Sequence, residues 1–198
     1  MSMKPTPLLK MLSPFAAAKI VPAILQFMTI AIAVRAYAPA EYGTYVTVML
    51  AVYLTQRFSG ACLNGCVMRF FPQTASSQER RYFFSTFWIF LAGTLVAVGV
   101  SAQVWIIQWN GFGLSPFELH LSQIGIWLFP GLASYQALVN LFWADRQIKT
   151  YVFCEIGTAL TGSMIAISLM LFYKTGISAL LWGSTVSFWI ATLFLLIF

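Results

Sequence analysis

Three ionisable side chains lie deep inside long apolar stretches of this 198-residue chain: Lys19, Arg57 and Glu155. A charge at the centre of a bilayer costs at least about 2.5–3.5 kcal/mol, so such residues usually face a wet cavity or an oppositely charged partner. One carboxylate can neutralise only one of the two cations, in an internal ion pair with either Lys19 or Arg57. The cation left over predicts an anionic ligand.

Arg57 is the strongest candidate for that ligand-binding role. It precedes Arg69, near an expected helix end, by 12 residues, or about 18 Å of helix, which puts it close to the bilayer midplane. Its guanidinium keeps its proton and can donate two parallel hydrogen bonds to phosphate oxygens. Lys19 lies roughly 13 Å from the inner end of its helix, and Glu155 lies about 9 Å above Lys149.

Uncharged polar residues accompany these charges at helical spacing: Gln26, Asn64, Gln136 and Asn140. Gln26 and Asn64 each follow a membrane-embedded cation by seven residues, and therefore share its helix face two turns along. Gln136 and Asn140 are one turn apart on a third segment. Each stripe alone is typical of hydrogen bonding between helices. Taken together with two cations, the stripes predict a shared hydrophilic cavity.

Six long apolar segments separated by short polar breaks carry these residues. They span 12–37, 43–70, 82–109, 119–143, 150–173 and 177–198. Each has at least the roughly 20 residues needed to cross a hydrocarbon core about 30 Å thick. Because unpaired backbone amides are costly in lipid, such spans must be helices. The sequence therefore predicts an all-α fold, a single transmembrane bundle of six helices over 1–198, with Pro22 and Pro130 kinking or breaking their helices.

Composition agrees with a membrane protein and argues against other classes. Sixty per cent of residues are hydrophobic and 8% are charged, against roughly 25% charged in a soluble domain. The basic residues are scattered, so we expect no nucleic-acid partner. Cys62 and Cys66 are one helical turn apart, but zinc would need two more ligands, and the only histidine, His120, is in another segment. We therefore expect no enzyme, no metal site and no cofactor.

The distribution of basic residues predicts the orientation of the chain, because Lys and Arg concentrate in cytoplasmic loops. Seven lie at breaks on one side and two at breaks on the other. The seven are Lys4, Lys10, Arg69, Arg80, Arg81, Arg146 and Lys149, and the two are Arg35 and Lys174. Both termini are therefore predicted to be cytoplasmic.

The turn after the first segment resembles that of polysaccharide and O-antigen flippases. Residues 35–45 read RAYAPAEYGTY, close to the family's usual Arg-x-Leu-x-Pro-x-Glu-Tyr-Gly-x-Tyr pattern, with Tyr37 in place of the leucine. Residues 65–72, GCVMRFFP, resemble the end of the family's second helix. These flippases belong to the multidrug/oligosaccharidyl-lipid/polysaccharide exporter superfamily. The resemblance in spacing covers the whole chain, and the specific motifs lie within residues 35–72.

This resemblance implies one lobe of a two-lobed transporter in the bacterial inner membrane, which moves lipid-linked oligosaccharides by alternating access. Lys19 and Arg57 would hold the pyrophosphate of an undecaprenyl-linked substrate, and the polar stripes would meet sugar hydroxyls. Drug-extruding relatives have cation-coupling carboxylates in this lobe, which makes Glu155 a candidate ion-coupling residue. The alternatives are a drug/cation antiporter of the same superfamily and a non-transporting membrane scaffold of a polysaccharide assembly complex.

The resemblance also predicts a partner for the lobe. Polar stripes on a single lobe would face lipid unless another body covers them. The last apolar segment runs to Phe198 without a polar tail, as in a chain that continues. We therefore expect a second lobe or a homodimer partner, with membrane lipid around the assembly.

The predicted orientation can be tested with single cysteines in a background that lacks the three native ones. In intact cells, an impermeant thiol reagent should label Gly113→Cys and Thr175→Cys but not Ser76→Cys or Gln147→Cys. All four positions should react after lysis. Labelling of position 76 and protection of position 113 in intact cells would reverse the assignment.

Overall fold

A computed structural model describes residues 7–74, 76–109, 115–173 and 175–197. Its helices are α1 Pro7–Ala36, α2 Pro39–Phe70, α3 Ser77–Trp109, α4 Pro116–Ala144, α5 Ile148–Ser168 and α6 Ser178–Ile197. A 3-10 turn over Phe71–Gln73 follows α2, and a π-helical turn over Leu169–Tyr173 extends α5. Each of the six helices is long and apolar enough to cross a membrane. The predicted all-α bundle of six spanning helices is confirmed, and the chain is a multi-pass membrane protein.

Some of the predictions concern residues outside the described part of the chain. These are Lys4, Lys174, Phe198 and the loop 110–114, which includes Gly113.

Several helices begin about one turn earlier than predicted, because their first turns are polar. Pro39 occupies the first turn of α2, where a missing backbone N–H costs nothing. In front of α3, Ser76 and Glu79 exchange side-chain to backbone hydrogen bonds. Ser115 and Glu118 do the same in front of α4. These capping boxes extend the helices beyond the apolar stretches that a hydropathy pattern detects.

The central helix of the bundle is α4. In its most apolar stretch 67% of residues are buried, against 11–39% in the other five helices. It packs against α2 on one side and α6 on the other, with α3 at the edge beside α4 and α2. Helix α6 also packs against α5, which in turn packs against α1. Neighbouring helices therefore follow the order α2, α4, α6, α5, α1.

Helices α1 and α2 diverge although only Tyr37 and Ala38 connect them. Ala38 has an extended backbone and is followed by Pro39, which gives a sharp reversal. Beyond this turn α1 packs on α5 while α2 packs on α4, and the two helices make few contacts with each other. A gap therefore opens between α1 and α2, backed by α4, α5 and α6.

Neither Pro22 nor Pro130 breaks its helix, since α1 and α4 continue through both. Around Pro130, side chains of α6 donate to backbone carbonyls of α4. Trp189 Nε1 donates to the Trp127 carbonyl at 3.1 Å, and Thr192 Oγ1 donates to the Gly131 carbonyl at 3.4 Å. Side-chain donors from a neighbouring helix commonly support the backbone near a proline in a membrane span.

Helices α5 and α6 pack closely through small residues. Gly162 and Ala166 of α5 face Gly183 and Ser187 of α6. A Cβ built on Gly183 would lie 2.7 Å from both the Ala166 Cβ and the Gly162 carbonyl oxygen. Two residues of this size, four positions apart on each helix, allow backbones to approach closely in a membrane.

We expect Gly183→Ala to destabilise the bundle by about 1–3 kcal/mol, because the added methyl group meets backbone atoms that cannot move aside. Unfolding in detergent micelles, followed by circular dichroism, measures the loss. Gly93→Ala on α3 is the matched control, because a Cβ there meets no atom within 4 Å. Equal stability of the two variants would show that the α5–α6 contact is looser than described.

Candidate functional site

Lys19 of α1 forms an ion pair with Glu155 of α5, with 3.5 Å between Lys19 Nζ and Glu155 Oε2. The two side chains differ in exposure, at 67% for Lys19 and 17% for Glu155. Lys19 Nζ also lies 5.4 Å from the ring centroid of Tyr151, one turn before Glu155. Of the two pairings that the sequence left open, the structure contains the one with Lys19.

Arg57 is the membrane-embedded cation left over by this pairing. It is exposed on α2, and no carboxylate lies within ion-pairing distance of it in the described part of the chain. Tyr53, one turn earlier on the same helix face, lines a polar cavity that is described next. The guanidinium therefore remains available at the open side of α2.

A cavity of about 210 Å³ lies among α1, α2, α4, α5 and α6. Its volume is below the roughly 300–1,000 Å³ typical of sites for drug-sized ligands. The polar lining residues are Gln26, Thr29, Tyr45, Tyr53, Tyr135, Glu155, Thr158, Ser163, Ser184 and Ser187. Pro22, Ile30, Leu180 and Phe188 contribute apolar surface. The site is a small polar pocket at the back of the gap between α1 and α2.

Of the candidate site residues, Gln26 and Glu155 line this cavity. Gln136 instead donates from Nε2 to Asn140 Oδ1 at 3.4 Å, along one side of α4. Asn64 belongs to a different polar patch on α2, described below. Asn64, Gln136 and Asn140 do not line this cavity. Helical spacing fixes which residues share a face of one helix, but not how that helix is rotated against its neighbours.

The patch on α2 contains Gln56, Gly60 and Asn64. A Cβ on Gly60 would lie 3.2 Å from Gln56 Nε2 and 3.5 Å from Asn64 Nδ2, so the glycine leaves room for both amides. Gln56 is only 3% exposed, although it precedes the exposed Arg57 directly. Gln56 was not among the predicted site residues. Its spacing of one turn from Gly60 and two turns from Asn64 was the available signal.

The cavity also contains residues that the sequence analysis missed. Tyr135 is 4% exposed, and its hydroxyl oxygen has no hydrogen-bond partner among the described residues. Thr29 continues the Gln26 stripe of α1 at helical spacing, which was a usable signal. The sequence contains no comparable signal for Tyr135. The central helix α4 is buried on several sides, and its sequence does not indicate which side faces a cavity.

The described residues contain no group of three His, Cys, Asp or Glu side chains able to hold a metal ion. Cys62 and Cys66 are exposed on α2, whereas Cys154 is buried on α5. The chemistry that the cavity offers is therefore hydrogen bonding around one carboxylate. The chemistry of the open side of α2 is that of a single guanidinium.

The Lys19–Glu155 pair generates a prediction about stability. Lys19→Gln should lower stability more than Glu155→Gln, because it leaves a half-buried carboxylate without its partner, whereas the ammonium is largely exposed. The double variant should recover part of the loss. A double-mutant cycle from thermal unfolding in micelles should give a coupling free energy of about 0.5–3 kcal/mol. Additive effects would mean that the two charges do not interact.

Comparison with models of known protein families, with curated proteins and with solved structures gives no match to this chain.

Proposed function

We propose that this chain is a transporter lobe that moves undecaprenyl-pyrophosphate-linked oligosaccharides across the bacterial inner membrane, for polysaccharide or O-antigen synthesis. The observation that carries the proposal is the exposed guanidinium of Arg57, which has no carboxylate partner in the described chain. A charge at this depth in a membrane usually serves a ligand or another charged group. A pyrophosphate head group satisfies it with charge-assisted, bidentate hydrogen bonds.

The balance of charge supports an anionic substrate. Glu155 already has a partner in Lys19 at 3.5 Å, so the embedded charges of the described helices sum to one excess positive charge, on Arg57. Such an excess attracts a phosphate-bearing lipid and repels a cationic drug. The flippase interpretation is therefore favoured over a drug/cation antiporter.

The gap between α1 and α2 supports a lipid-linked substrate. Arg57 is exposed on α2, and the largely exposed ammonium of Lys19 is on α1. A polyisoprenyl chain can stay in the hydrocarbon core while its polar head enters between two helices that diverge from a common turn. A second lobe or a second copy of the chain would close the polar side of this gap against lipid.

A drug/cation antiporter remains the second candidate, because a specific observation favours it. Glu155 is a carboxylate in the wall of a polar cavity, which is the arrangement that cation coupling needs. Its pairing with Lys19 counts against this candidate, since a cation would have to displace the ammonium. The non-transporting scaffold of a polysaccharide assembly complex has no such observation in its favour.

The proposal predicts that Arg57→Ala lowers glycan export at least tenfold while the protein still accumulates in the membrane. Arg57→Lys should restore only part of the export, because the charge remains but the planar guanidinium is lost. Export is measured as surface polysaccharide in cells that depend on this chain and any partner lobe, and accumulation by immunoblotting of membranes.

Arg81→Ala is the matched control, since it removes an exposed arginine at the start of α3, and it should export normally. Normal export by Arg57→Ala at normal accumulation would end the pyrophosphate assignment. Loss of protein together with loss of export would indicate a structural role for Arg57. In that case Arg57→Gln should be unstable as well, and Arg57→Lys should restore the protein level.

A further inference from the structure

We propose that the cavity among α1, α2, α4, α5 and α6 binds one neutral sugar ring, with the Tyr135 hydroxyl and the Glu155 carboxylate as its principal hydrogen-bonding groups. The inference rests on the proposed function in one respect, namely that the ring belongs to the lipid-linked glycan. It adds a sugar-recognition subsite that is separate from the guanidinium of Arg57.

One hydroxyl group in the cavity wall, that of Tyr135, is not engaged in a hydrogen bond among the described residues. Tyr135 is only 4% exposed and lines the cavity, yet its oxygen has no hydrogen-bond partner among the described residues. The Thr158 hydroxyl lies near it and donates to the Cys154 carbonyl at 2.7 Å, so Thr158 could only accept from Tyr135, and the two hydroxyl groups do not form a hydrogen bond of good geometry. Buried polar groups without partners are rare in folded proteins. An unpartnered hydroxyl in a cavity wall is a group that a bound molecule can satisfy.

Four other hydroxyl groups in the cavity wall already donate their protons to the backbone. Thr29, Thr158, Ser184 and Ser187 each donate to a backbone carbonyl of their own helix, at 2.7 to 3.0 Å. Because each proton is engaged in this way, the four oxygens can only accept hydrogen bonds from the cavity. The Glu155 carboxylate is a further acceptor. The lining therefore suits a ligand that carries several donors.

The charge of the cavity lining favours a neutral ligand. Among the described residues that line the cavity, Glu155 is the only acidic or basic one, and Lys19 neutralises it from α1 at 3.5 Å. A cationic ligand would have to compete with that ammonium, and an anionic ligand would meet a carboxylate. A neutral ligand with many hydroxyl groups, each able to donate and to accept, fits both the charge and the mixture of donors and acceptors in the lining. Sugar rings have this chemistry.

The size of the cavity and its aromatic surface favour a single sugar ring. The volume of about 210 Å³ is below that of sites for drug-sized ligands, so one ring can enter the cavity while the rest of a glycan stays outside it. Tyr45, Tyr53 and Phe188 add aromatic surface, and the rings of Tyr135 and Phe188 lie 5.3 Å apart. Aromatic faces carry partial negative charge, so they pack well against the C–H faces of a sugar ring.

The test is equilibrium dialysis of the full chain, purified in detergent, against radiolabelled glucose, galactose or N-acetylglucosamine. We expect saturable binding of one molecule per chain for at least one of the three. Sodium ions or tetramethylammonium should not compete.

Tyr135→Phe removes only the hydroxyl and should weaken sugar binding at least tenfold. The melting temperature of this variant should be unchanged or higher, because a buried group without a partner has been removed. Ala159→Leu, which fills the cavity from α5, should also abolish binding. Tyr173→Phe is the control, since Tyr173 is 74% exposed, and it should bind as the unaltered chain does.

Several outcomes would overturn the inference. These are no saturable binding of any of the three sugars, equal binding by Tyr135→Phe and the unaltered chain, or competition by sodium ions or tetramethylammonium. The last would mean that the cavity is a cation site. Failure here leaves the proposed function standing if Arg57→Ala still abolishes export. Conversely, sugar binding by a chain whose Arg57→Ala variant exports normally would retain the sugar site and reject the pyrophosphate assignment.

Discussion

The absence of water inside a bilayer is the constraint on which the rest of this structure depends. A polar group without a hydrogen-bond partner is costly in hydrocarbon. This cost determines the conformation of the backbone and the hydrogen bonds of the side chains. The backbone is helical throughout its apolar stretches. Hydroxyl groups within the spans donate to carbonyls of their own helices, as Thr158 does to Cys154. Around Pro130, Trp189 and Thr192 donate to α4 from a neighbouring helix. Arg57, an embedded charge with no carboxylate partner among the described residues, and the Tyr135 hydroxyl are therefore the informative groups.

Much of the fold could be predicted from the sequence, because the bilayer leaves so few choices. The number and class of helices follow from the length of the apolar segments, and the pairing of one cation with Glu155 follows from counting charges. The helix starts were missed where Ser76 and Ser115 cap polar first turns. The membership of the cavity was missed because it depends on helix rotation. Gln136 and Asn140 pair with each other, while the adjacent Tyr135 faces the cavity.

The bundle is closely packed on the side of α4, α5 and α6 and open on the side between α1 and α2. Small residues at Gly162 and Gly183 bring α5 and α6 into backbone contact, and the buried α4 links them to α2. On the open side, α1 and α2 follow each other in the sequence but make few contacts with each other. The polar groups follow the same division. The cavity lies against the closely packed helices, whereas Arg57 lies on the open side of α2.

The short connection between α1 and α2 also determines how these helices can move. With only Tyr37 and Ala38 between them, and Pro39 fixing the start of α2, the two helix ends at this turn cannot separate. Helix α1 has 30 residues and is about 45 Å long. Tilting it by roughly 10° about the turn would carry its far end about 8 Å, with almost no displacement near the turn. The displacement therefore grows with distance from the turn, and at Lys19, near the middle of α1, it would be roughly half that of the far end. Any such motion would open the bundle on one side of the membrane only, and it would stretch the Lys19–Glu155 ion pair as it did so.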